Sequence, residues 1–148
     1  MIRISTKGRY GTRAMLELAL NHGRGLILLK DIAERQEISI GYLEQIIPSL
    51  KAAGLVNSSR GAHGGYTLAK SPADITLKEI ISALEGPVSL VECIKDPETC
   101  NRTDLCITRD VWTELSEKMD DFLVSITLKQ LVEKHRSKQK SQPLMYSI

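Results

Sequence analysis

Cys93, Cys100 and Cys106 lie within a stretch of fourteen residues. Thiolates this close in sequence are soft donors suited to a thiophilic metal. An odd number of cysteines speaks against a disulfide framework, and the polar, basic start MIRISTKGRYGTR does not read as an export signal. The six- and five-residue gaps match neither the paired C-x2-C of zinc ribbons nor the tight runs of ferredoxins. Three readings stay open: a small iron-sulfur cluster completed by a fourth ligand, zinc held by three Cys and another residue, or free thiols. A second group is Tyr42, Glu44 and Gln45. Gln can make two hydrogen bonds to adenine, Glu can accept from the cytosine amino group, and Tyr can bond a phosphate or pack on a thymine methyl. Arg60, beside the glycines of RGAHGG, is a cation suited to a narrow, electronegative minor groove. His22, His63 and His135 show no nucleophile or metal spacing, so no enzyme is expected.

These groups need elements to hold them. Tyr10, Ala14, Met15, Leu18 and Ala19 recur at helical spacing and predict a helix over 6–21, ended by Gly23 and Gly25. A second helix over 30–36, a tight turn at Ile38 and Ser39, and a third helix to Gly54 marked by Leu43, Ile46, Ile47 and Leu50 make a helix-turn-helix. Ala33 supplies the small residue this motif wants, Glu37 stands where Gly is commoner, and Pro48 predicts a bend. The strand-like runs 55–59 and 66–69 flank RGAHGG, whose glycines suit a hairpin turn; a hairpin straight after the third helix is a wing. Thr76 and Glu79 form a capping box for a fourth helix that stops at Gly86-Pro87. Residues 88–102 read as a loop, and Thr103 as the N-cap of a long helix with Cys106 near its third position. Trp112, Leu115, Met119, Phe122 and Ile126 alternate by three and four along it, a coiled-coil-like seam that predicts a dimer. Thr127 and Gln130 predict a short helix over 128–134, and residues 136–148 a disordered tail.

The chain has 148 residues, 42% hydrophobic, 26% charged and 4% aromatic, enough apolar material for one core and too few aromatics for a β-sandwich. No apolar run reaches membrane-spanning length, so a cytoplasmic protein is expected. The net charge of +2 divides unevenly: residues 1–70 carry 10 basic and 5 acidic side chains, residues 71–148 carry 10 and 13. A basic first half is a candidate polyanion-binding surface. The expected fold class is mainly α with a small β-hairpin. It comprises a winged helix-turn-helix DNA-binding domain over 1–86, a cysteine-bearing loop over 87–106, and a dimerisation helix with its short successor over 103–135.

STKGRYGTRAMLELA, DIAERQEISIGYLEQIIPSLKAAGLVNSSRGAHGGYTLAK and the three cysteines before a long helix closely resemble iron-sulfur cluster regulators of the IscR type. These are bacterial winged-helix repressors, in a family that also holds nitric-oxide-sensing and cysteine-metabolism regulators. The resemblance spans residues 1 to 134 and is most specific in YLEQI and RGxxGGY. It implies a homodimer on a double-stranded DNA operator, DNA contacts at Tyr42, Glu44, Gln45 and Arg60, and a [2Fe-2S] cluster on Cys93, Cys100 and Cys106. It further implies repression of cluster-biogenesis genes, with the iron-sulfur assembly machinery as cluster donor; a nitric-oxide- or redox-responsive regulator is the alternative within the family. A small iron-sulfur or zinc protein with no DNA role would leave the basic wing without purpose.

The chain departs from the family pattern at three places. The fourth ligand, commonly a His three residues after the last Cys, is here Arg109, and the acidic N-terminal residue of nitric-oxide sensors is here Arg9. A guanidinium offers no lone pair. Asp104, Asp110, Glu92, Glu98, His135 or an exogenous ligand are the candidates left. At the wing tip Ala62-His63 replaces a common Pro-Gly pair, and His63 is expected to face solvent.

Overall fold

The computed structural model describes residues 2–141, and its architecture is built around the first helix. Helix α1 (Thr6–Leu20) begins where the Ser5 hydroxyl accepts a hydrogen bond from the Gly8 N–H at 3.1 Å. The Glu85 carboxylate, at the end of α4 (Leu77–Glu85), in turn accepts from the Ser5 N–H at 2.9 Å and from the Ser5 hydroxyl. An acidic group beside a helix N-terminus satisfies orphan donors and complements the macrodipole. Two glycines let α4 come this close: a Cβ on Gly8 would overlap the Glu85 carboxylate, and one on Gly11 the Leu84 side chain. The same face of α1 buries Ala14, Met15, Leu18 and Ala19.

Helix α2 (Leu29–Gln36) and helix α3 (Ile40–Ala52) cross below α1, joined through Glu37, whose backbone is left-handed at φ 53°. The turn thus forms with a side chain where Gly would be unstrained. Ser39 caps α3 by accepting from the Tyr42 N–H at 3.1 Å, and the helix runs through Pro48 to Ala52. Strands β1 (Val56–Ser59) and β2 (Gly65–Leu68) pair antiparallel with Val56 opposite Leu68 and Ser59 opposite Gly65. Ile27 docks on the hairpin's free edge, exchanging backbone hydrogen bonds of 2.9 and 2.8 Å with Tyr66. The core gathers Met15, Leu18, Ile32, Leu43, Ile46, Leu50, Leu55, Ile75 and Ile80, all buried.

The second half of the chain departs from the expected layout in four places. One turn of helix, α5 (Glu92–Lys95), interrupts the cysteine loop and packs on the long helix. That long helix, α6 (Ile107–Ser125), starts with Cys106 at its N-cap rather than with Thr103. Thr103 instead opens a single 3-10 turn, and its hydroxyl lies 2.7 Å from the carbonyl oxygens of both Pro97 and Cys100, a stronger local demand than capping a helix three residues on. Helix α7 (Leu128–Ser141) runs beyond the short helix expected, so residues 136–141 are helical and not a disordered tail; residues 142–148 lie outside the described part. Finally, α7 returns to the first unit, burying Leu128 and Val132 in the same core as Leu18 and Ile32. A short bridge leads it there, with the Leu77 N–H donating to the Ile126 carbonyl at 2.8 Å and the Leu128 N–H to the Ile75 carbonyl at 3.0 Å.

The capping box expected at Thr76 is complete: Glu79 N–H donates to Thr76 Oγ1 at 3.2 Å, and Glu79 Oε2 accepts from Thr76 N–H at 2.9 Å. Partial burial pushes the Glu79 carboxyl up, but the Thr76 N–H and the Lys70 ammonium outweigh it and hold it below the usual value. The unfolded chain therefore takes up the proton first. The charge on Glu79 stabilises the fold above the usual carboxylate value, and that contribution is lost as pH falls through the lowered folded one. Glu79→Gln is expected to lower stability by about 0.5 kcal/mol at neutral pH, a surface-scale effect, in urea unfolding. The gap to the parent should close on acidification; a pH-independent gap would refute the assignment.

Candidate nucleic-acid interface and cysteine loop

Helix α3 divides cleanly by exposure. Leu43, Ile46, Ile47 and Leu50 are buried, whereas Gly41, Glu44, Gln45 and Pro48 are exposed on the opposite stripe. The cap at Ser39 satisfies the start of the helix, so this stripe presents its first two turns to solvent. Tyr42 lies between the two faces, half-buried, with its ring edge-on to Tyr10 at 5.5 Å. Arg60 is exposed where β1 ends and the wing turn begins. In that turn Gly64 donates to the Gly61 carbonyl at 3.0 Å, and a Cβ on Gly64 would press against the Ser59 carbonyl. His63 is exposed at the tip. Arg9, beside Tyr10, and Lys51, on the last turn of α3, are also exposed. A bare helix stripe with an amide and a carboxylate, next to a wing carrying a cation, has the parts needed to read base edges and hold phosphates.

The cysteine loop leaves α4 at Gly86, whose φ of 81° turns the chain directly after the Glu85 that caps α1. Cys93 sits half-buried on α5, and its carbonyl accepts from Arg109 Nε at 3.2 Å, so the arginine standing at the expected ligand position ties α5 to α6. Cys100 is exposed, its carbonyl tied to Thr103. Cys106 Sγ lies 3.2 Å from the Thr108 hydroxyl. That hydroxyl, and after it the Arg109 N–H at the opening of α6, hold the Cys106 thiol below its usual value. Asp104 lines the same shallow cleft as Cys106, while His135 lines a different one with Glu17, Arg24 and Arg35. Three thiols, one of them more readily ionised than usual, suit a thiophilic metal by donor chemistry. Their arrangement does not: among the described residues, no three His, Cys, Asp or Glu side chains come together as a metal-holding group.

Along α6 the seam residues face solvent. Trp112, Leu115 and Phe122 are exposed, with Ile107 and Val111 in line with them, while Met119 and Ile126 are half-buried. The opposite side of α6 is tied to α4 by Lys78 and Asp120 at 2.9 Å. An apolar stripe of this length on a surface helix marks an interaction face. Sequence reasoning missed the groups behind Tyr42, namely Tyr10, Arg13, Gln36 and Glu17. A signal existed in Glu17, a carboxylate set among Ala14, Leu18 and other core positions of α1.

No helix among the described residues is long and apolar enough to cross a membrane. The sequence pattern of the Rrf2 family, described as iron-dependent transcriptional regulator, matches residues 4–134. The HTH-type transcriptional regulator IscR of Klebsiella pneumoniae (strain 342) is 44% identical over 131 residues, covering 88% of this chain and 80% of that protein. The solved structure of T. potens IscR superposes with a TM-score of 0.78 at 41% identity, covering 98% of this chain and 96% of that one. CymR, the global cysteine regulator of B. subtilis, superposes with a TM-score of 0.76 at 43% identity, covering 90% and 98%. The helix-turn-helix, the wing and the helix that follows the cysteine loop are thus shared features, and the chain belongs to the Rrf2 family of helix-turn-helix transcriptional regulators, a non-enzymatic, DNA-binding family.

Proposed function

We propose that this regulator is a cytoplasmic homodimeric repressor whose choice of DNA sites is set through its cysteine loop, with a [2Fe-2S] cluster as the ligand of Cys93, Cys100 and Cys106 and cluster-biogenesis genes as its targets. The observation that carries the DNA half of this reading is the exposed stripe of α3, Gly41, Glu44 and Gln45, lying opposite a fully buried face. Tyr42, Gln45 and Arg60 supply contacts to bases or phosphates. Glu44 acts as a discriminator, because a carboxylate brought near phosphates is penalised unless a cytosine amino group satisfies it.

The dimer half is supported by the exposed apolar stripe of α6, Ile107, Val111, Trp112, Leu115 and Phe122, for which the described chain provides no cover. Joining two copies there sets the separation of the two recognition helices, and a two-fold operator demands half-sites about 34 to 36 Å apart. The loop has mechanical reach toward that separation. It is anchored on one side at Gly86, beside the Glu85–Ser5 cap of α1, and on the other at the start of α6. Bound iron and sulfide would supply a thiolate-linked cross-tie across the loop. The chain's own part is to bring Cys93, Cys100 and Cys106 together, from a loop in which Thr103 bonds to the Pro97 and Cys100 carbonyls and Arg109 to that of Cys93. That no three metal-ligating side chains come together among the described residues favours a second reading, a family regulator whose loop takes no cluster.

An absorption spectrum of anaerobically purified protein separates these readings. Visible bands are expected that disappear in Cys93→Ala, Cys100→Ala and Cys106→Ala, while helical content is retained because the core lies elsewhere. A colourless parent protein would favour the second reading and overturn the first. Operator binding is expected to weaken steeply with salt, as cations displace condensed counterions. Arg60→Ala should cost about 1 to 3 kcal/mol on the operator and less on unrelated DNA. An equal loss on all sequences in competition titrations would make Arg60 a phosphate clamp only.

A further inference from the structure

Glu17 is the one charged residue buried among those described, at 5% exposure, and DNA contact makes no direct use of it. Its two oxygens are divided between partners from the end of α2, with Asn21 Nδ2 also donating to Oε1 at 3.4 Å. Oε1 accepts from Arg35 Nη1 at 3.1 Å, and Oε2 accepts from Gln36 Nε2 at 2.7 Å. The second bond fixes which way the Gln36 amide points, because its NH2 is engaged inward and its Oε1 is turned to accept from Arg13 Nε at 3.3 Å. Arg13 Nη2 also donates to the main-chain carbonyl of Gln36, so the guanidinium is held by two of its nitrogens. Held there, it lies 5.3 Å from the centre of the Tyr10 ring, which in turn meets the Tyr42 ring edge-on at 5.5 Å and 83°. Arg9 approaches the same Tyr10 ring at 5.8 Å.

We propose that Arg13, fixed by Gln36 and the buried Glu17, is a positioning residue for Tyr42. The juxtaposition Glu17–Gln36–Arg13–Tyr10–Tyr42 sets the orientation in which the recognition helix offers that tyrosine to DNA. A tyrosine at the border of a helix's buried and exposed faces has more than one staggered position open to it, and a fixed aromatic edge removes that freedom before binding. Affinity gained by holding a contact residue in its bound orientation needs no contact of its own with the ligand. The planar fork of arginine matters here: a lysine keeps the charge, but its compact ammonium has no planar face to lie beside the ring while separate nitrogens hold the side-chain and main-chain oxygens of Gln36. The turn between α2 and α3 adds leverage, since Gln36 is the last residue of α2 and directly precedes the left-handed Glu37.

This inference rests on the reading of Tyr42 as a DNA contact, and a double-mutant cycle on the full chain separates the two. DNA selected from a random pool by the parent protein is titrated with parent, Arg13→Lys, Tyr42→Ala and the double variant, over a range of salt concentrations. Thermal melts confirm that each is folded. Arg13→Lys is expected to weaken binding about tenfold in the parent background, to have less than about a twofold effect when Tyr42 is already Ala, and to leave the slope of log affinity against log salt unchanged. Losses that multiply would make Arg13 independent of Tyr42 and overturn the proposal. Parent-like binding by Arg13→Lys, with Tyr42→Ala still impaired, would overturn it alone. Parent-like binding by Tyr42→Ala would instead remove the DNA role of Tyr42, and this proposal with it.

Discussion

The contact between α1 and α4 is the constraint from which the rest of the molecule follows. It exists because Gly8 and Gly11 present no side chain to α4, and it is closed by the Glu85 carboxylate on Ser5. With α4 seated there, α1 is left to support α2, α3, β2 and α7, and it touches all of them. Orphan N–H groups at a helix start must find acceptors, and in this chain the acceptor comes from the residue immediately before the cysteine loop. The joint between α1 and α4 is therefore also the point where the cysteine loop is attached. A side chain at Gly11 would have to displace Leu84, itself part of the core. The tolerance of such a close-packed interior for added volume is small.

From that frame the recognition surface is derived rather than added. The buried face of α3 is committed to α1 and to the core, which leaves its opposite stripe and the wing as the surfaces free to meet a long polyanion. The charge division supports this use, since the excess of cations lies in residues 1–70. Long-range attraction from such a surface is not selective; under the proposed function, selectivity resides in a few oriented groups on α3 and at Arg60. Contacts run from Tyr42 through Tyr10, Arg13 and Gln36 to one buried carboxylate, so a core residue and the proposed contact residue belong to one arrangement.

Local chemistry made much of this legible in the sequence. Ser39, Thr76 with Glu79, the glycines of RGAHGG and the stripes of α1 and α3 each have a short-range physical cause, and each element formed within a residue or two of its expected place. The start of α6 was not legible: Thr103 has the chemistry of a cap, but the nearby Pro97 and Cys100 carbonyls compete for its hydroxyl, and that competition depends on the loop's path. Nor was the return of α7 to the core, because Leu128 and Val132 alone do not say which surface buries them. The polar residues from 136 onward read as disordered, yet 136–141 continue as helix once the first two turns of α7 are pinned against α1. Of the candidate site, the exposed contact residues were readable by type and spacing, whereas the Glu17 arrangement joins residues 13, 17, 35 and 36 across two helices and depends on their packing.

In the proposed function the state of the cysteine loop sets how the two recognition helices engage DNA. Its most direct test is the affinity of anaerobically purified protein for a panel of selected sites, measured before and after metal is stripped by a chelator under reducing conditions. A change of at least about tenfold is expected on one class of sites, with other sites changed less. Identical affinities across the whole panel, in protein shown to have lost its metal, would contradict it.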